Sequence, residues 1–187
     1  MPIGLKTLVL NSNYMPISLA PLQTILAEDA VTRILNGTCH TVFEYDRKIL
    51  TPTLDMNWPS VIARNSHDQI KNRVALKRST LYYRDHGICQ YCERSLTLKE
   101  ATYDHVMPRG RGGKHEWKNV VVSCTSCNGR KGLHLPVGIW KPKQKPFEPT
   151  YFDIVKSCRS FPITLDDPNW ESFIGDWTGD ILIREAA

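Results

Sequence analysis

Two cysteine pairs of the same spacing, Cys89-Gln-Tyr-Cys92 and Cys124-Thr-Ser-Cys127, constrain what this chain can fold into more than any other feature. A C-x-x-C turn brings two thiolates within reach of one ion at about 2.3 Å, and two such turns complete a tetrahedron. One ion held in this way closes residues 93–123 into a loop and fixes whatever that loop carries. The other two cysteines, Cys39 and Cys158, lie far from both pairs and read as buried free thiols. Six cysteines could form three disulfides in a secreted chain, but no signal peptide is expected here. A structural zinc is therefore expected ahead of disulfides, an iron–sulfur cluster or redox use.

Charge adds a second constraint. The 187 residues carry a net charge of only +5, which by itself says little. Its distribution says more: residues 71–145 hold 16 basic and 5 acidic side chains, residues 1–70 hold 5 and 6, and residues 146–187 hold 3 and 8. The positive charge thus sits on the stretch that contains the cysteine pairs, where it can attract and steer a polyanion. The plainer alternative is a solvated Lys/Arg surface. No apolar run approaches the roughly 20 residues that span a bilayer, so neither a transmembrane segment nor a membrane partner is expected. The expected location is the cytoplasm.

The chain divides into three stretches. Residues 1–70 read as a small α+β unit. Short strands are expected at Thr7–Leu10 and Pro16–Leu19, joined by a turn at Asn11–Asn13. An amphipathic helix is expected from Pro21 to Leu35, stopped by Asn36-Gly37, and further strands at Thr41–Tyr45 and Val61–Ala63. His40 and His67 are isolated there and read as structural or surface residues. In residues 71–145, Ser79 reads as the N-cap of a short helix from Thr80 to His86 ended by Gly87, and a second helix is expected from Cys127 to about Leu133. The Pro-rich run 141–150 reads as an extended basic strap. Residues 146–187 form an acidic extension with Phe161, Trp170, Phe173 and Trp177. It is expected to pack on the N-terminal unit, the alternative being a segment within 151–187 that docks a protein partner or masks the basic surface.

Between the cysteine pairs lie Tyr103-Asp104-His105-Val106-Met107-Pro108, Arg109-Gly110-Arg111-Gly112-Gly113-Lys114 and Lys118-Asn119-Val120-Val121-Val122. A purely structural zinc ribbon has no need of an adjacent Asp-His pair at a strand end. Phosphodiester hydrolysis has: a carboxylate holds a hard divalent cation, and an imidazole of ordinary pKa about 6.5 takes a proton from water near neutral pH.

The run C-x-x-C, D-H-V-x-P-R-x-R-G-G, N-V-V-x-S-C-x-x-C-N-x-x-K-G from Cys89 to Gly132 resembles the HNH endonucleases, the ββα-metal nucleases, in their four-cysteine zinc-bound form. The pattern Val9-Leu10-Asn11, Tyr14-x-Pro16 and the helix to Gly37 also resembles bacterial and phage proteins that carry this module. The fold implied is α+β: a ββα-metal module with core 79–135, stabilised by zinc on Cys89, Cys92, Cys124 and Cys127. The resemblance implies that Asp104 is a ligand of a catalytic Mg²⁺ or Mn²⁺ and His105 the general base. Asn119 braces the loop between the strands, and Asn128, where the family often has His, is the second metal ligand. It further implies DNA as substrate and products bearing a 5′ phosphate.

Arg109, Arg111, Lys114, Arg130 and Lys131 are expected to contact phosphate, and the glycines of 109–113 to allow close backbone approach or positive φ. His115 and His134 read as surface residues, the alternatives being a phosphate contact for His115 and a supporting role beside the metal for His134. The function expected is a metal-dependent DNA endonuclease or nickase, acting as a homodimer if both strands are cut. The alternative is a zinc-stabilised nucleic-acid-binding module without catalysis, which could keep the cysteines and arginines while losing Asp104, His105, Asn119 and Asn128.

Overall fold

The computed structural model describes residues 4–19, 22–52, 54–67 and 73–184. In chain order the elements are β1 (Lys6–Leu10), β2 (Thr24–Leu26), α1 (Ala27–Leu35), β3 (Cys39–Lys48), β4 (Asn57–Arg64), α2 (Arg78–Arg84), β5 (Ala101–His105), β6 (Val120–Cys124), α3 (Thr125–Lys131), α4 (Tyr151–Cys158), β7 (Ile163–Leu165), α5 (Glu171–Ile174) and β8 (Ile181–Ile183). They fall into two compact units, one from residues 1–70 and 159–187, the other from residues 71–158.

The first unit is a four-stranded sheet in the order β2-β1-β4-β3, with β1 and β4 parallel and the outer pairs antiparallel. Leu8, Val9 and Leu10 of β1 and Val61, Ile62 and Ala63 of β4 are fully buried. Continuous apolar runs of this kind suit strands covered on both faces. α1 lays Ala30 against Val9, Ile62 and Cys39, so Cys39 is a core thiol as its isolation suggests. The acidic extension returns to this unit: Trp170 is buried and its indole N–H bonds Ser60 O at 3.0 Å and Ser60 Oγ at 2.9 Å, while Ser60 donates to Asp167 at 2.6 Å. Trp177 donates to Phe161 O, and Phe173 meets Phe43 edge-on. Trp170, Phe173 and Trp177 of the tail are thus engaged within this unit. Residues 151–158, by contrast, form α4 and belong to the second unit, where Cys158 is buried.

Two expectations for the first unit need correction. Pro16 and Leu19 make only isolated bridges, to Leu10 and Leu22, and no strand forms there. The helix begins at Ala27, because Thr24–Leu26 pairs antiparallel with β1. Ile25 fits a helical period equally well, but it is used as a sheet residue packed on the core.

The second unit is built on β5 and β6, an antiparallel pair with Asp104 opposite Val121 and His105 opposite Val120, followed directly by α3. The first cysteine pair sits on a tight hairpin: Leu96 N bonds Gly87 O, Cys89 N bonds Arg94 O, and Glu93 takes φ 60° to close the turn. α2 starts at Arg78 with Lys77 rather than Ser79 as its N-cap, because Thr80 Oγ1 accepts the Lys77 N–H at 3.0 Å. Two residues of positive φ, His86 and Gly87, then turn the chain into the hairpin. α3 starts before Cys127, at Thr125, with the Cys124 sulfur accepting Cys127 N at 3.4 Å.

Arg84, on α2, is the buried hub of this unit. All five of its N–H bonds are used. Nε and Nη2 pair with the Asp85 carboxylate at 2.7 and 3.1 Å, Nη2 also reaches Val120 O at 2.7 Å, and Nη1 reaches Trp117 O and Phe147 O at 2.9 Å each. Asp85 in turn accepts Val122 N at 2.7 Å. One guanidinium therefore ties α2 to the loop before β6, to β6 itself and to the strap at Phe147. The strap forms no helix, in keeping with its prolines: it bends at residues 141 and 143–144 and runs without regular structure to Thr150, which bridges to Arg73.

Candidate active site and metal centre

The four sulfurs of Cys89, Cys92, Cys124 and Cys127 lie within 4.8 Å of one another, with three of the four residues buried. The Cys92 and Cys124 sulfurs are 3.9 Å apart, close to the edge of a tetrahedron with arms of about 2.3 Å. Backbone N–H groups already point at sulfur: Cys124 N at the Cys89 Sγ and Cys127 N at the Cys124 Sγ, both at 3.4 Å. Burial opposes ionisation of Cys89, but bonds from the backbone N–H groups of Cys92, Cys124 and Tyr91 outweigh it and bring its pKa down to about 6. Cys127 moves the other way, pushed up by burial and by its thiol neighbours Cys124 and Cys92. Four thiolates this close are stable only around a cation, and the cluster fits one metal ion with no position left open.

Asp104 and His105 occupy the end of β5. Strand alternation turns them to opposite faces: Asp104 is buried and His105 is half-buried at the rim. The Asp104 carboxylate accepts from the Tyr91 hydroxyl and from Lys131 Nζ, 3.0 Å from Oδ2 and 3.3 Å from Oδ1. Lys131 also donates to His105 O at 2.7 Å, so α3 is clamped to the end of β5. Burial first, and then the bond to Asp104, keeps the Tyr91 phenol protonated far above its ordinary range. Because Tyr91 stands between Cys89 and Cys92, the cysteine cluster and the Asp104 carboxylate are one hydrogen bond apart.

Asn128, on α3, spends its amide N–H bonds on Tyr103 O at 2.8 Å and Thr102 Oγ1 at 3.0 Å. This leaves Oδ1 as its uncommitted oxygen. A carboxylate offers about four lone-pair sites, so Asp104 keeps capacity on Oδ1. The donor set of one carboxylate and one amide oxygen therefore fits a hard divalent cation, with Lys131 already offsetting the carboxylate charge.

Asn119 is bonded into the loop between the strands. Its Oδ1 accepts Met107 N at 2.8 Å, and its Nδ2 donates to Lys114 O at 2.8 Å and Met107 O at 3.1 Å. Gly113 packs into the same knot: a Cβ there would stand 1.8 Å from Met107 O and 2.9 Å from Asn119 Nδ2. Gly112 supplies the positive φ of 86°. The two glycine properties expected of this loop thus fall on neighbouring residues.

Arg109, Arg111, Lys114 and Arg130 are exposed, as phosphate contacts must be. Lys131 is not: it is fully buried, and its charge is taken by Asp104, so it is a clamp rather than a surface contact. Residues 130 and 131 stand about 100° apart on α3, which turns one to solvent and the other inward. His134 stacks on Trp140 with ring centroids 6.1 Å apart. His115 lies at the site: its Nδ1 is 3.1 Å from His105 Nε2. It also borders a cleft of about 550 Å³ lined by Arg73, Leu76, Trp117 and Glu148 among others. The pKa of His105 is lowered by burial first, then by the charges of His115 and Arg109. Tyr91 and Arg84 escaped the sequence reading, and His115 reads there only as a surface residue or a phosphate contact; the position of Tyr91 inside the C-x-x-C turn was the one signal on offer.

Among the described residues, no helix is long and apolar enough to cross a membrane. Residues 89–141 match the HNH endonuclease family, and residues 7–72 match the N-terminal domain associated with HNH endonucleases. The chain is 34% identical over 70 residues to the CRISPR-associated endonuclease Cas9 of Corynebacterium diphtheriae, a stretch covering 37% of this chain and 6% of that protein. The antiparallel pair β5-β6, the helix α3 and the four-cysteine cluster all lie within the matched segment, so residues 89–141 form the part of this chain that belongs with the HNH endonucleases.

Proposed function

We propose that the protein is a metal-dependent endonuclease or nickase that hydrolyses DNA phosphodiester bonds. The observation that carries this reading is the end of β5, where a half-buried imidazole of lowered pKa stands next in sequence to a buried carboxylate braced by Tyr91 and Lys131. A binding module without catalysis has no use for that pair. DNA follows from the family and from the exposed cations Arg109, Arg111, Lys114 and Arg130 on the segment of highest positive charge.

His105 takes a proton from the water that attacks phosphorus in line, and the lowered pKa keeps its imidazole neutral and available near neutral pH. The O–P bond forms as the bond to the 3′ oxygen breaks, leaving the phosphate on the 5′ side. Arg109, Arg111, Lys114 and Arg130 orient the strand through its phosphates without reading bases. Asp104 and Asn128 would hold Mg²⁺ or Mn²⁺, which when bound supplies Lewis-acid stabilisation of the charge on the phosphate and the departing oxygen. The four cysteines would hold zinc. Its part is structural: a ββα unit of about 45 residues buries too little surface to stand alone, and such an ion contributes on the order of 10–16 kcal/mol to folding.

The test is to incubate purified protein with supercoiled plasmid and Mg²⁺ or Mn²⁺. Conversion to nicked or linear DNA that is abolished by His105→Ala, with zinc content unchanged, is expected. Tight DNA binding with no cutting across metals and DNA forms would overturn the nuclease reading in favour of a binding module.

A further inference from the structure

The segment after Gly113 brings a second imidazole back to the first. His115 Nδ1 stands 3.1 Å from His105 Nε2, with ring centroids 5.2 Å apart. The contact is held from two sides. The Tyr103 ring meets the His115 ring edge-on at 5.4 Å, and the preceding carbonyl, Lys114 O, is fixed by Asn119 Nδ2 at 2.8 Å. Asn119, Gly113, Lys114 and His115 thus form one continuous brace that ends on His105.

Two neutral imidazoles at this distance share one N–H: one ring donates and the other accepts. A general base needs a bare nitrogen facing its water. On His105 the Nε2 is taken by His115, which leaves Nδ1. We propose that His115 is a positioning residue for the reaction: its Nδ1 accepts the Nε2–H of His105 and holds that ring in the one tautomer whose Nδ1 can take a proton. The inference rests on His105 being the general base. The proton of the attacking water moves to His105 Nδ1, and His105 becomes an imidazolium. Its Nε2–H bond to His115 is then charge-assisted and stronger than before. An interaction that strengthens as the reaction advances lowers the barrier, whereas one equally strong throughout does not. Asn119 acts on the base by the same route, through the loop that carries His115.

A phosphate contact through His115 is the competing role, and the two separate cleanly. The full-length zinc-loaded protein is compared with His115→Phe, which keeps a ring and loses the acceptor, and with His115→Asn, whose Oδ1 stands where Nδ1 stood. Single-turnover plasmid cleavage and DNA affinity are measured for each, alone and with His105→Ala. His115→Phe is expected to lower the cleavage rate about 10- to 100-fold, a part of what a whole general base supplies. His115→Asn restores most of the rate. DNA affinity stays unchanged, and no further loss appears when His105 is already Ala. Weakened DNA binding at an unchanged cleavage rate, or an added loss in the His105→Ala background, would overturn the proposal in favour of a phosphate contact. A second readout needs no activity: ¹⁵N spectra of the His105 ring should show hydrogen on Nε2 in the wild type and a mixture of tautomers in His115→Phe. Hydrogen on Nδ1 in the wild type would overturn the proposal. If the wild type cuts no DNA, the nuclease reading fails separately, and the spectra still decide the tautomer.

Discussion

Replacing Arg84 by Met keeps an unbranched apolar stem and removes the guanidinium and its charge from the middle of the second unit. Arg84 and Asp85 are each 3% exposed, and the guanidinium lies 5.5 Å from the Trp117 and Phe147 rings. The substitution leaves the Asp85 carboxylate buried with Val122 N as its one remaining partner among the bonds described above, and it strips donors from the carbonyls of Trp117, Val120 and Phe147. Breaking a buried pair from one side costs about 3–5 kcal/mol. Each carbonyl left dry adds on the order of 1 kcal/mol, and apolar packing by Met returns a similar sum. We expect about 4 kcal/mol of destabilisation, which at roughly 4–8 °C per kcal/mol for a unit of this size is a drop in Tm on the order of 15–30 °C. The assay is thermal unfolding of the zinc-loaded protein followed by calorimetry, reading the transition that zinc removal abolishes. Adding Asp85→Leu to Arg84→Met should recover more than about 1 kcal/mol, since an apolar pair leaves no buried charge. A shift below about 5 °C for Arg84→Met would refute the reasoning, because it would mean that water or rearranged neighbours already satisfy these groups.

Neighbouring residues of α3 should behave oppositely. Lys131→Met should unfold or strongly destabilise the second unit, with a cost of about 3–5 kcal/mol for leaving Asp104 buried without its cation, whereas Arg130→Ala should keep the melting temperature and weaken DNA binding with a shallower salt dependence; equal stability losses would contradict the burial assigned to Lys131. Gly113→Ala should loosen the loop, seen as lost protection of the Met107 amide in hydrogen exchange, because its Cβ would overlap Met107 O at 1.8 Å. Protonation blocks His105 as a base, and its lowered pKa places the acid limb of cleavage below the ordinary histidine value near 6.5; an acid limb above that value would contradict the assignment.

The site was legible where chemistry constrains residue type. The C-x-x-C pairs pointed to a cation cluster, and the four sulfurs do gather; Asp104-His105 between them pointed to hydrolytic chemistry, which is the function proposed above. What stayed hidden depends on burial. Arg84 carries no signal in the sequence and Lys131 reads as a phosphate contact, since a sequence does not say that five acceptors converge on one guanidinium or that a lysine turns inward beside an exposed arginine. His115 read as a loop residue because its partner lies ten positions away and the loop returns only through Asn119 and Gly113. In the first unit, Ile25 fits a helical period and a strand equally well, and pairing with β1 decided between them. The acidic aromatic tail, read as an extension, divides instead: Trp170 completes the first unit, and residues 151–158 close the second.

The central claim is that His105, beside Asp104, is the group that activates water for phosphodiester hydrolysis. The direct measurement is the single-turnover rate of plasmid cleavage by zinc-loaded wild type and His105→Ala at saturating Mg²⁺ or Mn²⁺, with DNA affinity and zinc content measured on the same samples. A rate lower by about 10²–10⁴-fold in the variant, with both other quantities unchanged, is the result predicted; equal rates would contradict the claim.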